Sequence, residues 1–245
     1  MMWGTTTGPD RRTLPMHGAI ASPFERIAEV RRKYGAWAVC QLLADRALNS
    51  VANVLISNLI CVDAASAGAP IRSDPRFDFR ILSTDELSAF AHDPAYDLEH
   101  EFIVRASRGH DVCFAALDGP RLVSYGWFAL GCIECEHCEV AMSYPAHVAY
   151  SYKGFTHPEY RGQGLYAAVK SRALEALAPR GVTTLISSIN WTTWASLRSN
   201  DRLGYRKLGR LVLIELRGRK LAFWPRRQNE LGIRFGRQAD LSARS

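Results

Sequence analysis

Thr156-His157-Pro158-Glu159-Tyr160-Arg161-Gly162-Gln163-Gly164-Leu165-Tyr166 is the stretch that decides how this chain folds. Ahead of it, Ala146 to Phe155 alternates β-branched and aromatic residues with smaller ones. Behind it, Leu165, Val169, Ala173, Leu174 and Leu177 recur at helical spacing. The pattern reads as a strand, a short glycine loop and a helix. Gly162 and Gly164 free the backbone to turn with its amides facing inward. The helix then begins with unpaired N–H groups and the positive end of its dipole at the same spot. Such a place accepts a phosphate or pyrophosphate, and Arg161 adds a fixed positive charge.

The dinucleotide pattern G-x-G-x-x-G fails here, because Ala167 stands three residues after Gly164 and no acidic residue follows at the required distance. Gly-Lys-Ser/Thr, which a nucleoside-triphosphate loop needs, is absent. On either side of the loop the elements follow in a consistent order. Phe77 to Leu82 reads as a strand. Ser83 and Glu86 form a capping box before a helix, Asp85 to Ala91. Leu98 to Arg108 reads as a second short helix. Asp111 to Leu117 and Leu122 to Leu130 read as strands joined by the tight turn Asp118-Gly119-Pro120-Arg121. After the loop helix, Val182 to Ile189 reads as a strand parallel to the first, since a helix intervenes. Thr193 to Leu203 is a helix stopped by Gly204, and Tyr205 to Leu216 returns as a strand.

With those residues in place, Phe79 to Leu216 resembles a GCN5-related N-acetyltransferase (GNAT) domain. The carriers are Pro158-Glu159-Tyr160-Arg161 with Gly162 and Gly164, then Asn190, Ser196 and Leu203-Gly204-Tyr205. The resemblance implies a mixed α+β fold, a GNAT-type twisted mixed sheet flanked by helices. It implies acetyl-coenzyme A as co-substrate and transfer of an acetyl group to a primary amine of a small molecule, amino sugar or peptide. Phe155 and Thr156 would meet the pantetheine arm and thioester. Arg161, Gly162, Gln163, Gly164, Leu165 and Tyr166 would surround the pyrophosphate, with Asn190 and Ser196 contributing from the second motif. Tyr166 departs from the pattern, which has Gly or Ala there. Asn200 stands where many members carry a tyrosine that protonates the departing sulfur. On the strand entering the loop, alternation puts Val148, Tyr150, Tyr152 and Gly154 on one face and His147, Ala149, Ser151, Lys153 and Phe155 on the other. Tyr152 is the candidate catalytic group, with Glu99 or Glu101 acting through water as rivals. Two other readings stay open: transfer of a longer acyl chain from a carrier protein, and a non-catalytic coenzyme-binding scaffold.

The chain has 245 residues, 47% of them apolar, and a formal net charge of +7. That suits one domain with extensions and favours an anionic ligand. Residues 1–22, without periodicity, read as a disordered lead. Residues 23–65 read as a helical extension: Phe24, Ile27, Val30, Tyr34 and Trp37 recur at helical spacing, and Ala47 to Val62 is an uncharged apolar run. Asn49, Asn53 and Asn58 interrupt that run, which is too short to span a bilayer, so peripheral membrane contact and packing on the protein or in a homodimer are its candidate roles. Residues 217–245 read as a basic edge hairpin, Arg217 to Phe223, and a frayed tail, with no nucleic-acid module. Met1 to Ile20 lacks the apolar core of a signal peptide, so a reducing cytoplasm and free thiols are expected. Cys132, Cys135 and Cys138 beside His137 invite a metal reading, but a single knuckle lacks the fourth ligand, and no metal is expected.

Overall fold

The computed structural model describes residues 22–135 and 140–237. Its centre is an eight-stranded sheet in the order β10-β9-β1-β8-β7-β4-β3-β2. The strands are β1 (Asn53–Asp63), β2 (Phe77–Ile81), β3 (Asp111–Asp118), β4 (Arg121–Leu130), β7 (Val148–Thr156), β8 (Thr184–Asn190), β9 (Arg206–Leu216) and β10 (Arg219–Phe223). Every neighbouring pair is antiparallel except β7 and β8, which run parallel. The parallel pair follows from the crossover through α5 (Leu165–Leu177), as the order of elements requires. The resemblance implies a mixed sheet flanked by helices, and the structure has one.

Both faces of the sheet are covered, so its central strands are apolar throughout rather than alternating. In β3, Val112, Phe114 and Ala116 join Leu165, Val169, Ala173 and Leu177 of α5 on one side. Cys113, Ala115 and Leu117 join Leu87 of α3 (Thr84–Ala91) and Phe102 and Ile103 of α4 (His100–Ser107) on the other. Ser83 caps α3 with the reciprocal Glu86 bond expected from the spacing. On the α4 side, β5 (Cys132–Cys135), β6 (Val140–Ser143) and β11 (Arg234–Arg237) make a second sheet in the order β11-β6-β5.

Three readings need correction. The run from Ala47 to Val62 is not one helix. Helix α2 (Ala36–Val51) ends, and the chain becomes β1. Gly35 separates α2 from α1 (Pro23–Tyr34). β1 lies between β8 and β9, antiparallel to both, and sends Leu59 and Cys61 to one core and Ile60 and Val62 to the other. Pairing on both edges, with apolar layers on both faces, outweighs any local helical preference. Second, residues 226–237 are not a frayed tail: β11 completes the small sheet by pairing with β6. Third, the alternation of β7 is broken. Trp127 pairs with Lys153 and Phe128 with Ser151, so Tyr152 is an extra residue in a β-bulge. The bulge reverses the parity beyond it. Phe155 stacks on Tyr125 over the α4-side core, and Gly154 turns toward α5.

Helices α1 and α2 pack against each other through Val30, Ala38 and Leu42, and against the start of α6 (Trp194–Arg202). Trp194 donates to Gln41 Oε1 (2.9 Å), Trp191 to Asp45 Oδ1 (2.8 Å), and the Arg198 guanidinium covers the Tyr34 ring. Phe24, Trp37 and Val51 remain exposed. No helix among the described residues is long and apolar enough to cross a membrane. The expected disordered lead falls outside the described residues apart from Ser22, as do the tail beyond Arg237 and the tip of the cysteine loop with His137 and Cys138.

Candidate active site

The site begins where β7 and β8 part. They pair from Val148–Thr184 to Ser151–Ser187, and a Ser187 hydroxyl bond to the Ser151 carbonyl (2.8 Å) is their last tie. Past that point β8 stays with β1 as far as Asn190, while β7 follows β4 to Thr156. A wedge opens between them, edged by backbone of β7 that has no strand on that side.

The loop that leaves β7 closes the wide end of the wedge. Pro158–Tyr160 forms one 3-10 turn, and Arg161 Nε donates to the Thr156 carbonyl (3.3 Å). Gly162 (φ 83°) and Gly164 (φ 72°) then take left-handed conformations that side chains other than glycine enter at a cost. The first amide bond of α5 runs from Ala168 to Gly164 O (3.0 Å). The amides of Leu165, Tyr166 and Ala167 ahead of it therefore have no helical acceptor and lie at the positive end of the helix. Beside them is a cavity of about 490 Å³ between the loop, α5 and α6.

Of the residues named from sequence, Thr156, Arg161, Gly162, Gly164, Leu165, Tyr166 and Ser196 line this cavity. Phe155, Gln163 and Asn190 do not. Phe155 faces the opposite core, and its carbonyl accepts from Ser124 Oγ (2.7 Å). Gln163 is exposed. Asn190 closes a turn at the end of β8, its Oδ1 accepting from the amide (2.9 Å) and hydroxyl (2.7 Å) of Thr192.

Sequence reasoning missed Tyr160, Ser199, Asn200 as a lining group and, above all, Lys170. Lys170 follows Tyr166 by one helical turn and is 4% exposed. Its Nζ donates to Asn200 Oδ1 (2.7 Å) and lies 4.5 Å from the centre of the Tyr205 ring. Burial lowers its pKa to about 7. The available signal was a lysine inside the apolar run of α5, four residues after Tyr166. The Tyr166 ring occupies the space a β-carbon at Gly154 would need. Burial raises the Tyr166 phenol, an effect the Ser151 hydroxyl opposes.

Tyr152 sits on the far face of β7. It is 6% exposed and donates to Asp111 Oδ2 (2.7 Å). Asp111 also accepts two bonds from Arg105, Nε to Oδ2 and Nη2 to Oδ1, both 2.7 Å. Burial and the Asp111 carboxylate push the Tyr152 phenol far above its ordinary range. A phenol so held keeps its proton, which disfavours the role of base. Glu99 is tied to Lys153 (2.8 Å), whereas the buried Oε1 of Glu101 has no hydrogen-bond partner among the described residues.

A nucleotide-bearing coenzyme fits this arrangement at its phosphate end: free amides, Arg161 and a helix N-terminus meet at the cavity. The buried hydroxyl of Tyr205 lacks a hydrogen-bond partner among the described residues. Tyr166 narrows the wedge where an acyl arm would enter. No three His, Cys, Asp or Glu side chains cluster to hold a metal among the described residues.

No protein-family model and no curated protein matches the chain. Solved structures do, and many are GNAT-family acetyltransferases. A GCN5-related N-acetyltransferase from Kribbella flavida is 16% identical, with 72% of this chain and 64% of that one covered and a TM-score of 0.48. A GNAT-family acetyltransferase from Colwellia psychrerythraea is 18% identical, with 76% and 62% covered and a TM-score of 0.47. This chain spans less than two thirds of the length of either. At these scores the likeness bears on no statement about activity.

Proposed function

We propose that this protein is an N-acyltransferase that uses acetyl-coenzyme A and acylates a primary amine of a small molecule, amino sugar or peptide. One observation carries the reading: the wedge between β7 and β8 opens onto a cavity where the loop amides, Arg161 and the α5 N-terminus converge. Arg161, Gly162, Gly164 and Leu165 would hold the pyrophosphate, with Ser196 facing them across the cavity. The backbone of β7 beyond the Tyr152 bulge offers unpaired groups for the pantetheine arm. The bound coenzyme supplies an activated acyl thioester. The protein's task is to orient it, exclude water and handle one proton.

Tyr166 on Gly154 favours a second reading, a coenzyme-binding protein without turnover, because its ring takes up space at the acyl end. Two measurements on the full-length protein separate the readings. Thermal stabilisation by coenzyme A together with thiol release over a panel of amines supports the enzyme. Stabilisation without release for any amine supports the scaffold. No stabilisation at all removes both.

A further inference from the structure

Lys170 sits at a cost that packing does not explain. A lysine buried in an apolar wall gives up the hydration of its charge, and such groups are held by a carboxylate or used for chemistry. Among the described residues Lys170 makes no ion pair. Its single acceptor is the neutral Asn200 amide, whose Nδ2 donates to Ser196 O (2.7 Å) and so fixes Oδ1 toward the lysine. The Tyr205 face supports the ammonium without neutralising it. No second hydrogen bond from Nζ is made among the described residues, and Lys170 lines the cavity.

Resting on the function proposed above, we propose that Lys170 Nζ donates the proton that the departing sulfur takes up. Asn200 is the positioning residue that aims it. As the amine nitrogen bonds to the acyl carbon, the carbon–sulfur bond breaks and its electron pair stays on sulfur. Lys170 gives that sulfur a proton and is recharged by the proton the amine nitrogen loses. Products are the amide and the free thiol, so atoms and charge balance. The groups facing Lys170 are Tyr166 on its own helix, Tyr205 just ahead of β9 with Cys61 of β1 near it, and Arg161 on the lining of the same cavity. None is a carboxylate, and the lysine can pass between its two forms near neutrality.

The test binds coenzyme A to the full-length protein and follows thiolate absorbance against pH, with desulfo-coenzyme A as blank. In the natural protein the bound thiol should titrate coupled to Lys170, its ionisation starting below that of the free coenzyme and spread over a wider pH range, because the ammonium that lowers it is itself lost near pH 7. Lys170→Met should return it to the free value with affinity little changed, and thiol release should fall about a hundredfold. Turnover by the natural protein should decline as pH rises through about 7, and the variant should lose that limb. Lys170→Arg should keep the shifted thiol yet turn over slowly, since it holds charge but does not release a proton. Lys170→Gln stands in should the methionine variant not fold. Identical thiol titration in natural and variant proteins overturns the proposal, as does full turnover by Lys170→Arg. A natural protein that fails to bind coenzyme A overturns instead the functional reading beneath it.

Discussion

Gly154 of β7 and Tyr166 of α5 share one space: the tyrosine ring covers the α-carbon of the glycine where a side chain would project. Gly154→Ala should therefore displace the ring and destabilise the fold by about 1–3 kcal/mol, the usual cost of overpacking. In a Tyr166→Ala background the same change should cost much less, which urea unfolding of both single variants and the double variant would measure. An equal cost of Gly154→Ala in both backgrounds would refute the pairing.

Gly164→Asp places a carboxylate at the α5 N-terminus, in a left-handed position that Asp tolerates better than most residues. Coenzyme A affinity should fall by more than about tenfold, or 1.4 kcal/mol. Calorimetric titration of the folded variant is the check, and unchanged affinity would place the phosphate elsewhere.

The Arg105–Asp111–Tyr152 group is expected to serve stability rather than turnover. Asp111→Asn leaves the half-buried Arg105 guanidinium without its carboxylate and should cost about 2–4 kcal/mol. Tyr152→Phe removes one bond to a charged acceptor and should cost about 1–3 kcal/mol with kcat unchanged. Denaturation and steady-state kinetics on the same samples separate the two effects. A large loss of kcat at unchanged stability in Tyr152→Phe would restore that residue as a catalytic candidate.

The buried Lys170 sets a pH dependence of stability. Its folded pKa, about 7, lies below its ordinary 10.5. Between those values the unfolded chain holds a proton that the folded one lacks, so stability rises with pH by up to about 1.4 kcal/mol per unit. Below pH 7 both states are protonated and the slope vanishes, with the burial penalty fully present. Lys170→Met should flatten this profile and be the more stable protein at pH 7. Thermal melts from pH 6 to 10 would show it, and parallel profiles would contradict it.

Leu59, fully buried in β1, tests whether the strand ahead of the recognisable region belongs to the same cooperative unit. Leu59→Ala should cost about 2–5 kcal/mol in a single unfolding transition. A separate early transition would mean that β1 melts alone.

What could be read from sequence was local. The loop, its glycines and the apolar periodicity of α5 lie within about twenty consecutive residues, and the Ser83–Glu86 cap within four. What escaped was set by distant partners. Ala47 to Val62 contains no charge that would mark a face, and β1 becomes a strand because residues 184–216 present two edges to it. The Tyr152 bulge is a mismatch of one residue against β4, invisible in β7 alone, yet it decides where Phe155 and Gly154 point. The burial of Lys170 depends on Asn200 and Tyr205, which lie thirty and more residues further along the chain.

The central placement of β1 also bears on how the polypeptide is made. Asn53 is 162 residues ahead of Glu215, its neighbour in the finished sheet. At ribosomal speeds of about 5–20 residues per second, β1 leaves the ribosome on the order of ten to thirty seconds before that neighbour exists. Throughout that interval Leu55, Ile56, Leu59, Ile60 and Val62 have neither edge nor layer to join, and an uncharged β-prone segment invites association with other nascent chains. Pairing of β1 therefore waits for two strands made much later, a long-range contact of the kind that forms slowly.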